Sequence, residues 1–153
     1  MKIDIELTQA RISSKFGAST EWRGKAGALV EFSGLVRDEE NDRVIASLDY
    51  EAYSTMALKS MRGILESLAL PYPCLEVRVM HRVGTVPASE AAIKVAIWAR
   101  HRTEAFGLLA TFMDRLKKEV PIWKRDPTAP HPQLRDVESR KTFSLVQCPE
   151  EPA

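Results

Sequence analysis

Alternation of apolar and polar positions opens the chain. Ile3, Ile5 and Leu7 are interleaved with Lys2, Asp4 and Glu6, a period of two that predicts a half-buried strand. Residues 8–26 are mostly polar and read as a short helix followed by a loop over Gly17 to Gly24. From Gly27 to Arg37 the alternation returns. Ala28, Val30, Phe32 and Val36 point one way, and Leu29, Glu31, Ser33, Leu35 and Arg37 point the other. An acidic turn, Asp38 to Asp42, follows. Val44, Ala46, Leu48 and Tyr50 then alternate with Ser47, Asp49 and Glu51, predicting a strand that forms a hairpin with the one before it.

The period then lengthens. With Ser54 as N-cap, Ala57, Met61, Ile64, Leu65 and Leu68 recur at helical spacing, and Pro71 and Pro73 end that helix. Leu75, Val77, Val79, His81 and Val83 predict a strand, Gly84 to Glu90 a connection, and Ile93, Val95, Ile97 and Ala99 another strand. The last helix runs from about Thr103 to Val120, with Phe106, Leu109, Met113, Leu116 and Val120 as its apolar stripe, and Pro121 stops it. The segment from Asp126 onward holds five of the nine prolines and reads as an extended or partly disordered tail. No repeat and no linker divides the chain. It reads as one α+β domain over residues 1–126, with a mostly antiparallel sheet and two main helices, followed by the Pro-rich tail 127–153.

Composition narrows the function classes. The 153 residues suffice for one core, and 22 basic against 21 acidic residues leave a formal net charge of +1. Nothing global draws such a chain to nucleic acid or to an anionic membrane. Cys74 and Cys148 form no CxxC pair, which fits a reduced, cytoplasmic setting. The start lacks the apolar run of a signal peptide, and no stretch approaches the ~20 apolar residues of a membrane span. The three histidines have no ligand spacing, so no metal and no cofactor are expected. Walker-type, dinucleotide-binding, HExxH and GxSxG motifs are absent.

Against this neutral background, cations concentrate around the last helix. Arg100, His101 and Arg102 precede or open it, Lys117 and Lys118 lie near its end, and Lys124 and Arg125 follow the proline break. Helix N-termini suit anions, and an arginine placed there opposes the helix dipole unless an anion compensates both. Arg37, at a strand end, reads either as an arginine paired with Asp38 or Glu39 or as a guanidinium fork for a phosphate or carboxylate. His81 shares the face of Val77 and Val79, which favours a core histidine. Lys117 is either a helix lysine lying along the apolar margin or, brought near Lys124, half of a pair. Two lysines close together repel each other's charge, one route by which an amine becomes a useful acid, base or nucleophile.

Six stretches, taken together, resemble the large, catalytic subunit of molybdopterin synthase. They are GlyAlaLeuValGluPheSerGlyLeuValArg (27–37), LeuAspTyrGluAlaTyrSerThrMetAla (48–57), ValMetHisArgValGly (79–84), AlaArgHisArgThrGluAlaPhe (99–106), MetAspArgLeuLys (113–117) and ProIleTrpLysArg (121–125). The resemblance implies a hammerhead-type β arrangement and a homodimer. Each copy would hold the C-terminal tail of a ubiquitin-like sulfur carrier, which ends in a Gly-Gly thiocarboxylate. The implied reaction converts cyclic pyranopterin monophosphate into the dithiolene molybdopterin. By position, the catalytic pair falls on Lys117 and Lys124. Substrate contacts fall on Leu35, Val36, Arg37, His101, Arg102, Lys117, Lys124, Arg125 and Asp126. Asp42 and the turn ProAlaSerGlu (87–90) stand where the family frequently has glycine.

Two other classes compete. In one, the same fold binds a sulfur carrier without catalysis, as an assembly or regulatory partner. In the other, the Lys117 to Arg125 segment binds nucleic acid with Trp123 as a stacking platform; the near-neutral charge argues against it.

Overall fold

The computed structural model describes residues 1–125 and Pro127. The first strand, β1 (Lys2–Thr8), is followed by β2 (Ala28–Leu35), and the intervening residues form turns rather than the expected short helix. Ile12 and Phe16 in that segment are buried, so its apolar residues anchor a covering loop. Then come a two-residue ribbon, β3 (Glu39–Glu40) and β4 (Arg43–Val44), β5 (Ser47–Ala52) and the helix α1 (Ser54–Leu68). Next are β6 (Glu76–Arg82), β7 (Gly84–Pro87), β8 (Ala91–Ala99), the helix α2 (Arg102–Glu119) and β9 (Ile122–Arg125). No helix among the described residues is long and apolar enough to cross a membrane.

Four strands form the main sheet in the order β1-β6-β8-β2. β1 runs parallel to β6, and the other pairs are antiparallel. Both helices lie on one face. Met61, Leu65, Leu108 and Phe112 meet Val77, Val79, Val95 and Ile97 there in one buried cluster. The other face is covered by Ile12 and Phe16 against Ala96 and Trp98. β8 is therefore buried on both sides and reads as a nearly continuous apolar run.

A second sheet, in the order β7-β5-β9, is entirely antiparallel. It joins the first through Val36, Ile45, Leu48, Val86 and Ala92. The expected β2–β5 hairpin does not form. A register shift at Gly34/Leu35 turns the chain out of the main sheet, and Asn41 and Asp42, both at positive φ (52° and 59°), close the separate β3–β4 ribbon. β5 is thereby delivered to the second sheet. The stretch expected as a plain connection contains β7, and β9 was not predicted at all.

The buried face of α1 is Ala57, Met61, Ile64, Leu65 and Leu68, as its period predicts, and the helix stops before Pro71. Its N-cap is Tyr53, with Ser54 the first helical residue, and no side chain caps it. On α2 the buried face is Ala105, Leu108, Phe112 and Leu116; of the predicted stripe Leu116 and Val120 are buried and Leu109 and Met113 half-buried, whereas Phe106 is 57% exposed. The proposed domain end at 126 and the tail 128–153 lie outside the described residues.

Candidate active site

Where α2 ends, the chain reverses within two residues. Val120 leaves the helical conformation, and β9 begins at Ile122 with a bond from its N–H to the Val120 carbonyl at 2.8 Å. β9 then pairs with β5, setting Tyr50 opposite Lys124 and Ala52 opposite Ile122. Because faces alternate along a strand, Ile122 and Lys124 turn toward α2, while Trp123 and Arg125 turn the other way. Tyr53 stacks edge-on against Trp123 at 5.2 Å, and Arg125 pairs with Glu51 at 3.1 Å.

The inward face closes a cleft of about 480 Å³. Phe32, Gly34 and Leu35 of β2, Ala92 and Ile93 of β8, and Met113 and Leu116 of α2 form mostly apolar walls. Tyr50, His81, Lys117 and Lys124 supply the polar groups. Met113, Leu116 and Lys117 are three and four residues apart and so share one side of α2. Lys117 also sits in the last turn, where the negative end of the helix dipole favours a cation. Among the described residues Lys117 has no ion pair and no side-chain hydrogen bond. A second cleft, about 550 Å³, lies on the other face of β2 around Ser33, Ser89 and Lys94, and among the described predicted site residues it includes Leu35 alone.

Lys124 has a carboxylate beside it that the sequence does not announce. Its Nζ donates to Glu40 Oε1, and Arg37 Nη2 donates to Glu40 Oε2 at 3.2 Å. The Lys124 hydrogen bond, aided by the charges of Lys124 and Arg37, holds the Glu40 carboxyl below the usual range. Glu40, rather than Asp38 or Glu39, is thus the strand-end partner of Arg37. Tyr50 faces the same carboxylate. Burial raises its hydroxyl above the usual phenol range, and the charge of Glu40 raises it further.

His81 is 5% exposed and forms the floor beside Tyr50, ring centroids 5.4 Å apart at 68°. Its Nδ1 lies 2.7 Å from the Arg82 carbonyl, which only accepts, so Nδ1 carries the proton. Burial, opposed by that hydrogen bond, lowers the ring below the ordinary histidine range and keeps it neutral near pH 7. Such a ring leaves Nε2 as an acceptor. His81 is therefore both a core histidine and a cleft residue.

Not every predicted contact reaches this cleft. Val36 is 2% exposed and packs into the second cluster; its N–H and carbonyl are bonded to Glu90 and Ser89. Leu35 is 60% exposed at the rim. His101 and Arg102 are exposed at the start of α2, where His101 is the N-cap without a side-chain capping bond among the described residues. They stand at the far end of the helix from Lys117. Asp126 lies outside the described residues. Among the described residues no group of three or more His, Cys, Asp or Glu is placed to hold a metal ion.

Known proteins share both the sequence and the fold. A molybdopterin synthase catalytic subunit from Pyrococcus abyssi is 41% identical over 102 residues, covering 67% of this chain and 69% of that one. The crystal structure of molybdopterin synthase from Staphylococcus aureus superposes with a TM-score of 0.70 at 30% identity, over 78% of this chain and 87% of that one. The complex of subunits 1 and 2 of molybdopterin-converting factor from Helicobacter pylori shares the fold, with a TM-score of 0.68 at 21% identity over 80% of this chain and 83% of that one. The model of the MoaE protein family matches residues 4–119, a span that runs from β1 to the last residue of α2 and takes in Arg37, His81 and Lys117, so the chain belongs to the MoaE family.

Proposed function

We infer that this chain is the catalytic subunit of a molybdopterin synthase, a sulfurtransferase that converts cyclic pyranopterin monophosphate into the dithiolene molybdopterin. Family membership and the catalytic subunit at 41% identity support the activity. The observation that carries the chemical reading is the meeting of Lys117 and Lys124 in one apolar-walled cleft, from elements separated only by the Pro121 reversal.

In this reading the sulfur donor is a ubiquitin-like carrier whose Gly-Gly thiocarboxylate enters the cleft past the exposed Leu35. Lys117 meets the carrier's terminal carbonyl, stabilises negative charge developing on that oxygen, and transfers a proton. Lys124, fixed by Glu40, contributes a second positive charge, and Arg37 holds the anionic part of the pterin, while Arg125, on the other face of β9, pairs with Glu51. The apolar walls strengthen the interactions made inside the cleft.

His101 and Arg102 fit this scheme through a homodimer. In one copy they lie a full helix length from Lys117, so a second copy must supply them if they contact the same substrate. In this reading the reaction takes place in the cytoplasm. The test is single-turnover conversion of cyclic pyranopterin monophosphate by the purified chain with thiocarboxylated carrier. Dithiolene product is expected. Carrier binding without product would favour the non-catalytic carrier-binding reading.

A further inference from the structure

Glu40 stands where a ligand anion would be expected. Its two carboxylate oxygens each serve a different cation, Lys124 on one side and Arg37 on the other. Of the three, the acid is the sheltered member. Its side chain is 16% exposed, against 52% for Lys124 and 75% for Arg37. Two cations that reach over a carboxylate in this way present the geometry they would present to any bidentate oxyanion.

The element that carries Glu40 belongs to neither main sheet. Among the described residues β3 and β4 pair only with each other, at Glu39↔Val44 and Glu40↔Arg43, through the tight Asn41–Asp42 turn. A two-residue ribbon has little stability of its own. Its outer residues are exposed, Val44 at 89%, while Ile45 anchors its base. Arg37 and Lys124 therefore hold Glu40 in place, and an anion that displaced it would take over the same two side chains.

We propose that Glu40 is a specificity-determining residue: its carboxylate bridges Arg37 and Lys124 as a tethered competitor, and a ligand displaces it only when its anionic group outbids it in charge, as a phosphate monoester does, or is held by further contacts in the cleft, as the cyclic phosphate of a pterin would be. The proposal rests on the reading of Arg37 and Lys124 as anion-binding residues. A tethered carboxylate competes at an effective concentration on the order of millimolar. A lone monocarboxylate from solution, with the same charge and the same two oxygens, gains nothing over it. A phosphate monoester offers more oxygens and more charge, whereas a cyclic phosphodiester, with one charge and two free oxygens, needs the contacts of the rest of its ligand to displace the carboxylate. The cleft would thereby reject small carboxylates while accepting phosphorylated ligands.

The test uses the full chain with inorganic phosphate and acetate as probes, binding being followed by calorimetry and by the side-chain NMR signals of Arg37 and Lys124. Glu40→Gln keeps the shape and removes the charge. It is expected to tighten phosphate by about fivefold, the upper range for a partly exposed charge pair, and to give acetate binding that the native chain lacks. Glu40→Ala should behave alike, and thermal melts confirm that both variants are folded. Phosphate binding that is abolished by Arg37→Ala yet unchanged or weakened by Glu40→Gln would overturn the competitor role and leave the anion site standing. Phosphate binding indifferent to Arg37→Ala in both the native and Glu40→Gln backgrounds would remove the anion reading, and the proposal with it.

Discussion

Arg102 is the first residue of α2 and Lys117 lies in its last turn, fifteen residues further along. At the α-helical rise this separates them by about 22 Å, more than their two side chains can span. If both act on one substrate, they do so from different copies of the chain. Mixing Arg102→Ala with Lys117→Ala protein, each inactive alone, should then restore activity. Random exchange in a twofold dimer makes half of the dimers mixed, each with one intact site, so recovery should approach about a quarter of the native rate. A mixture that exchanges subunits and stays inactive would mean that each copy works alone.

Lys117 is exposed and, among the described residues, unpartnered, so its removal separates chemistry from stability. Lys117→Ala should lower the single-turnover rate by roughly 10²-fold or more, the contribution of a positioned acid–base group. Its unfolding free energy should stay within about 0.5 kcal/mol of native, as for other surface substitutions. Near-normal turnover from a folded variant would take the central role away from Lys117.

His81 makes stability depend on pH in a defined direction. Its native pKa is lowered, chiefly by burial, below the unfolded value of about 6.5. Above that value both states are neutral and its contribution is fully present. As pH falls from there toward the native pKa, the unfolded chain takes up a proton that the folded one excludes, and stability is lost at up to about 1.4 kcal/mol per pH unit. Urea midpoints measured at pH 7.5 and 5.5 should therefore drop more for the native chain than for His81→Gln. Parallel losses would show that His81 does not titrate in this way. The other groups facing the ring, Tyr50 and the Arg82 carbonyl, do not change charge in this interval.

The parts of this fold legible from the sequence were those fixed by local periodicity. The buried face of α1 can be read residue by residue because Met61, Ile64, Leu65 and Leu68 leave no other apolar side. α2 is apolar around more of its circumference. Period alone allows a stripe centred on Phe106, but contact with the sheet selects the adjacent one, where small Ala105 lets the helix approach and Phe112 fills the core. β9 has only four residues and exists because β5 is there to pair with it. Glu40 was hidden for the same reason: Lys124, its partner, is 84 residues away, and no spacing along the chain encodes that meeting. The motif stretches marked Lys117, Lys124 and Arg37, but the distance between the two ends of α2 appears only in three dimensions.

The turn that leads into β8 offers a test of backbone strain. Ser89 adopts φ 70°, in the left-handed region, and its N–H donates to the Val36 carbonyl at 2.7 Å. That bond ties the turn to the point where β2 leaves the main sheet, so the conformation is imposed by tertiary pairing rather than by a preference of serine. An L-residue with a Cβ is disfavoured there by roughly 1–2 kcal/mol, a penalty that glycine escapes. Glycine's greater freedom in the unfolded chain offsets about 0.5–1 kcal/mol of that gain. The net expectation for Ser89→Gly is a stabilisation of about 0.5–1 kcal/mol, read as a higher urea midpoint at unchanged slope. Asp42, at φ 59°, should gain less from the same change, because aspartate tolerates this region better than serine does. A Ser89→Gly variant no more stable than the native chain would mean that the serine side chain compensates the strain.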